Sequence, residues 1–217
     1  MTKSTIVLTG LVGLLGAVLT GVGAFILHFD ALARFGPQNE FFQGISDQRT
    51  TIGHFFGVLG APLYLVGCWH IKLMLQPANK IWSMTAFFVA AYGFAVGAVW
   101  IGSRASISAL VNAPSSPEIV QLIGLYDFRY ETLLQIIRVA VLALSVIYIW
   151  LTLTGRSHYP KWMAALNPIL LILVSFIVYA VTPSLGKYLM PIALNVAFFV
   201  LFVASIMIAR KIGSVSR

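Results

Sequence analysis

The run Ile6-Val-Leu-Thr-Gly10-Leu-Val-Gly13-Leu-Leu-Gly16-Ala-Val-Leu-Thr20-Gly21-Val-Gly23-Ala-Phe-Ile-Leu27 decides the class of this protein. It holds no charge over 22 residues. A helix rising 1.5 Å per residue therefore crosses a hydrocarbon core ~30 Å thick. A signal peptide has an apolar stretch of only ~7–15 residues, so the run reads as a retained membrane helix despite Lys3 in front of it. Its glycines remove side chains where a neighbouring helix can come close. Gly53, Gly57 and Gly60 repeat the pattern further along, and the glycine-rich first helix is also a candidate face for a homo- or hetero-oligomer.

The rest of the chain agrees with the first run. Of 217 residues, 59% are hydrophobic and 9% charged, too few charges to cover a soluble domain, which usually carries about a quarter. Six spans can be drawn, about 6–27, 52–75, 81–102, 133–153, 163–181 and 188–208. Backbone polar groups must be satisfied within lipid and no barrel alternation is present, so each span is read as a helix. The expectation is an all-α, polytopic membrane helix bundle forming one transmembrane domain over 1–217. Pro62 and Pro191 are candidate kinks. Ser116-Pro117-Glu118 reads as an N-cap, a first-turn proline and an acid matched to the helix dipole, opening a helix that leads toward the fourth span.

The net charge is +8, but the basic residues are scattered singly near span ends. That suits lipid headgroups and gives no nucleic-acid patch. With the N-terminus inside, the inner segments hold eight bases: Lys3, Lys72, Lys80, Arg156, Lys161, Arg210, Lys211 and Arg217. The outer side holds Arg34, Arg49, Arg104, Arg129, Arg138 and Lys187. The bias favours both termini in the cytoplasm. All six acids, Asp30, Glu40, Asp47, Glu118, Asp127 and Glu131, fall on the outer side. Acids barely influence insertion, so their placement calls for another reason.

Each span also offers a polar or amphipathic group to that side. His28, His54, Arg138, Tyr179 and Asn195 come from separate spans, and Trp100 and Arg104 together end the third. Asp127, Glu131, Gln135 and Arg138 are spaced to share one helix face. A charge deep in a bilayer costs at least ~2.5–3.5 kcal/mol, and four polar residues in line argue that Arg138 faces the bundle interior. These ten residues form the candidate ligand-binding set for an outward-facing polar pocket. Trp69, His70, Lys72, Trp82 and Trp150 read as interface anchors at the inner side, and Asn167 as a helix start.

No cofactor is assigned. His28, His54, Asp30 and Glu131 are nitrogen and oxygen donors of the kind a divalent metal uses, yet they come from distant segments without a ligand motif. A bis-histidine haem on His28 and His54 has no more support. The lone cysteine, Cys68, excludes an intramolecular disulfide. Ser184-Leu-Gly-Lys187 fits Ser-x-x-Lys but lacks its companion motifs.

Two stretches, Gly53-His-Phe-Phe-Gly-Val-Leu-Gly-Ala-Pro62 and Tyr159-Pro-Lys-Trp-Met-Ala-Ala-Leu-Asn-Pro168, resemble a family of uncharacterised bacterial six-helix membrane proteins. The resemblance implies six helices in a bacterial cytoplasmic membrane and no particular activity. Three functions follow from the residues. The first is binding or transport of a small anionic molecule or lipid through the outer pocket. The second is an intramembrane enzyme acting on a lipid or isoprenoid, with Glu131 or His54 as general base and Arg138 steadying negative charge. The third is a non-catalytic assembly or partner protein.

Overall fold

The computed structural model describes residues 2–35 and 39–212, so Arg217, one of the inner bases, lies outside the described residues. The chain is all-α: α1 Lys3–His28, α2 Asp47–Leu75, α3 Lys80–Val111, α4 Pro117–Leu153, α5 Pro168–Val181, α6 Pro183–Leu189 and α7 Ala193–Ala209. Short 3₁₀ turns cover Glu40–Phe42, Lys161–Leu166 and Met190–Ile192. Five helical stretches are long and apolar enough to cross a membrane: α1 to α4, and Pro183–Ala209 taken together.

The helix starts are local chemistry. Thr2, Ser46, Asn79, Ser116 and Asn167 each accept a backbone N–H of the first turn, which satisfies donors that have no partner inside the helix. Ser116 and Pro117 open α4 as read, and the helix runs unbroken into the fourth span. Pro62 sits inside a continuous α2.

The fifth span needs correction. Met163–Val181 is not one helix, because Asn167 and Pro168 end a 3₁₀ segment and cap a new one. The resulting 14-residue α5 is ~21 Å long, short of a ~30 Å core. The sixth span likewise begins as α6, passes through a 3₁₀ turn at Pro191 and continues as α7. By contrast α3 and α4, of 32 and 37 residues, are ~48 and ~56 Å long, more than a bilayer needs. Their far ends carry Arg104 and Asp127 beyond the span limits read from hydropathy.

A glycine seam lets α1 and α2 approach closely. A Cβ built on Gly23 would lie 2.3 Å from the Gly57 nitrogen, and one on Gly13 would lie 2.6 Å from the Gly67 Cα. Gly10 meets His70 and Ile206, Gly16 meets Leu63, and Gly21 meets Asn195. The glycine face of α1 is thus used within the chain, against α2 and α7. Aromatic rings fill the space beside the seam. Tyr64 stacks on Phe94 at 4.0 Å, with Phe198 edge-on to both, an arrangement that adds to the burial term.

Candidate functional site

The two ends of the bundle differ. One carries the start of α1 and the end of α7 and is called the termini end below; the other carries His28 and all six acids and is called the acidic end. Here the segment after α1 folds back over α3 and α4. Arg49, in the first turn of α2, donates from Nε to the Ile26 carbonyl at 2.7 Å and from Nη2 to the Phe29 carbonyl at 2.5 Å. It thereby satisfies the C-terminal carbonyls of α1. Asn112, at the end of α3, donates to the Phe42 and Ser108 carbonyls and accepts the Gly44 N–H. These contacts hold Phe41 and Phe42 down over a buried cation.

That cation is Arg104, only 7% exposed. Its Nε donates to His28 Nε2 at 3.1 Å, and its Nη2 donates to Asn39 Oδ1 at 2.9 Å. Four rings, Phe41, Phe42, Trp100 and Tyr130, stand 5.0 to 5.7 Å from the guanidinium carbon, within cation–π range. His28 lies flat against Trp100, and its Nδ1 pairs with the Ala24 carbonyl at 2.9 Å. A carbonyl only accepts, so Nδ1 carries the proton and Nε2 offers Arg104 a lone pair. Asn39 adopts a left-handed backbone, φ 53°, a conformation asparagine tolerates better than most residues. Its Nδ2 donates to Asp127 Oδ1 at 2.5 Å. The Asn39 amide therefore stands between Arg104 and Asp127 in the hydrogen-bond chain.

Of the ten expected residues, the fold brings together His28, Trp100, Arg104 and Asp127. The others are placed elsewhere. Arg138 does not face the interior: its Nη1 pairs with Glu131 Oε1 at 2.6 Å on an open face, where the two side chains are 54% and 55% exposed. Gln135 donates to the same carboxylate. The reason is reach, because a flexible arginine two turns from an acid satisfies itself along its own helix without entering the core. Tyr179 meets the Phe35 ring edge-on. Asn195 accepts the Tyr64 hydroxyl at 2.8 Å and lines a groove of about 310 Å³ between α1 and α7. His54 lies beside Gly102, and its buried Nδ1 has no hydrogen-bond partner among the described residues.

The Arg104 cluster is thus a closed cage, and the expected open hollow is not what these side chains build. The four metal candidates are also dispersed. His28 is engaged by Arg104, Asp30 by Arg34 at 2.8 Å, and Glu131 by Arg138. Among the described residues no three His, Cys, Asp or Glu side chains converge. Asp30 also accepts the Leu32 and Arg34 backbone N–H groups. Chiefly through the Arg34 side chain, its carboxyl is pulled down to about 2.

Sequence reasoning missed Asn39, Phe41, Phe42 and Tyr130. A signal existed for the phenylalanine pair, two large apolar side chains in a charged loop that gain nothing unless they fold back. Asn39 gave none. A second buried network, near the termini, was misread as an interface. His70 and Ser205 are fully buried. The Tyr159 hydroxyl lies 2.8 Å from Ser205 Oγ, Ser205 Oγ lies 2.6 Å from His70 Nε2, and His70 Nδ1 lies 2.8 Å from the Ile6 carbonyl. The Ile6 carbonyl assigns the imidazole proton to Nδ1, so Ser205 donates to Nε2 and accepts from Tyr159.

Long apolar helices, packed through glycines and closed by buried polar clusters, define a helical protein of the membrane class. The chain belongs to a family of unknown function, DUF6796, whose model matches residues 1–211. No curated protein and no solved structure matches it.

Proposed function

We propose that this chain crosses a bacterial cytoplasmic membrane six times, with both termini on the cytoplasmic side. At its acidic end it binds, or passes across the membrane, a small anionic molecule, and Arg104 supplies the positive group. One observation carries the reading: Arg104 is a buried guanidinium whose two hydrogen-bonded side chains, His28 and Asn39, are both without negative charge. Among the described residues no carboxylate lies within ion-pair distance of it. A buried cation is costly unless directly paired, and an anion entering beside it lowers that cost. The acceptor such an anion would replace is Asn39 Oδ1, since a carboxylate or phosphate oxygen makes a stronger, charge-assisted bond to guanidinium.

The test is thermal unfolding of the detergent-solubilised protein against phosphate, sulfate and a small carboxylate at constant ionic strength. Native mass spectrometry of the protein as purified accompanies it. The expected result is an anion-dependent rise in the unfolding midpoint that Arg104→Gln abolishes and Arg138→Gln retains. Equal shifts in the native protein and Arg104→Gln would overturn the reading. If Arg104→Gln does not fold, Asn39→Ala serves instead. It should strengthen the anion response by vacating the acceptor position, and an unaltered response would count against the proposal.

A further inference from the structure

We infer that the termini end of the bundle holds an anionic phospholipid, its phosphate on Lys80 and one acyl chain along the outer face of α3. The inference stands apart from the Arg104 reading and concerns the opposite end of the molecule. Seven described basic residues lie at this end, namely Lys3, Lys72, Lys80, Arg156, Lys161, Arg210 and Lys211, and no Asp or Glu accompanies them. Membrane insertion rewards bases on one side but is nearly indifferent to acids. Among the described residues this end is therefore rich in basic side chains without acidic ones, which complements an anionic leaflet.

Within that field, Lys80, Ile81, Met84, Thr85 and Phe88 line a shallow groove of about 420 Å³. Their spacing places them on one face of the first turns of α3. Ile81 and Phe88 are 77% and 64% exposed. From Lys80 to Phe88 the groove runs ~12 Å along the helix, charged at its mouth and apolar below. Exposed Trp82 and Trp150 pack edge-on beside its upper end at 5.4 Å, the level at which tryptophan marks the headgroup boundary. An ammonium at headgroup height above an apolar track matches a molecule with an anion at one end and a chain at the other.

The backbone is not the phosphate ligand here. Asn79 Oδ1 already accepts the N–H groups of Ile81 and Trp82, and the Thr85 hydroxyl is spent on the Ile81 carbonyl. Lys80 makes no ion pair among the described residues. Lys72, the other lysine near this turn, is folded away onto Gln76 and the Trp69 ring.

The experiment is native mass spectrometry of the full chain released from mixed micelles holding equal amounts of phosphatidylglycerol and phosphatidylcholine. Phosphatidylglycerol adducts should exceed phosphatidylcholine adducts about tenfold. Lys80→Gln should cut that preference at least fivefold, and Arg210→Gln, at the same end but off the groove, should leave it intact. Thr85→Trp, which fills the groove, should lower both adducts; if it does not fold, Met84→Trp takes its place. Equal loss from Arg210→Gln would mean a diffuse basic surface and would overturn the proposal. So would adducts that survive both groove-filling variants, or displacement of the lipid by millimolar glycerol phosphate.

Discussion

Arg104 Nε donates to His28 Nε2 across 3.1 Å while the opposite nitrogen of that ring is committed to the Ala24 carbonyl. One imidazole thus joins the end of α1 to the far part of α3 in a single tautomer, under a cover of four aromatic rings. The cage is made from neutral acceptors, and the full charge of Asp127 stands one amide away. This arrangement ties together α1, α3, α4 and the segment that follows α1.

Removing the cation should be felt more than removing the exposed one. Arg104→Ala strands His28 Nε2 and Asn39 Oδ1 in a buried cluster, an expected loss of about 2–4 kcal/mol. Arg138→Ala breaks an exposed pair, for which under about 1 kcal/mol is expected. Denaturation midpoints of the two variants in one detergent decide the order, and a larger effect at Arg138 would contradict the cage.

Two glycine-to-alanine changes should have opposite signs. At Gly23 the new methyl would meet the Gly57 backbone at 2.3 Å, which forces α1 and α2 apart at about 1–3 kcal/mol. Gly124 lies in α4 with nothing within 4 Å of its would-be Cβ. There alanine should stabilise by about 0.4–1 kcal/mol through the lower entropy of the unfolded chain. Thermal melts of both proteins check the pair together.

Ser205 should behave as the hinge of the buried network. Ser205→Ala leaves the Tyr159 hydroxyl and His70 Nε2 unpaired in the buried interior, at about 1–3 kcal/mol. Tyr159→Phe removes one of the two stranded groups. The double variant should therefore be less unstable than the sum of the singles, by roughly 0.5–3 kcal/mol. Strict additivity in a double-mutant cycle would show that the hydroxyls do not act as one network.

Asp30 makes a prediction about acid. Arg34 lowers its folded carboxyl from 3.8 to about 2, so the unfolded chain takes up a proton first as pH falls. Its stabilisation is complete above the unfolded value and is lost progressively as pH drops from about 4 toward 2. The native protein should exceed Asp30→Asn in thermal midpoint at pH 6, with the difference shrinking between pH 4 and pH 3. A constant difference across that range would mean that the pair does not respond to protonation.

Much of the architecture was legible because it rests on local chemistry. A 22-residue uncharged run in helical form is long enough for a bilayer wherever it packs, and Ser116-Pro117 caps a helix whatever follows. The continuity of the fifth helix was misread on the same grounds: hydropathy averages over Asn167-Pro168, whereas the backbone restarts there. Burial of His70 and exposure of Arg138 were not legible, since both turn on which face of a helix meets a neighbour.

What the sequence by itself determined is the membrane class, the positions of most helices and the segregation of acids to one end, all consequences of composition read in order along the chain. The tertiary structure alone decided which cation is buried. Arg104 and Arg138 are the same side chain at the same end, and the Glu131 spacing offers Arg138 a local partner without saying which of the two enters the core. One meets His28 and Asn39 because the α1–α2 glycine seam and the Asn112 contacts bring those residues to it; the other has an acid two turns away on its own helix and never needs the core.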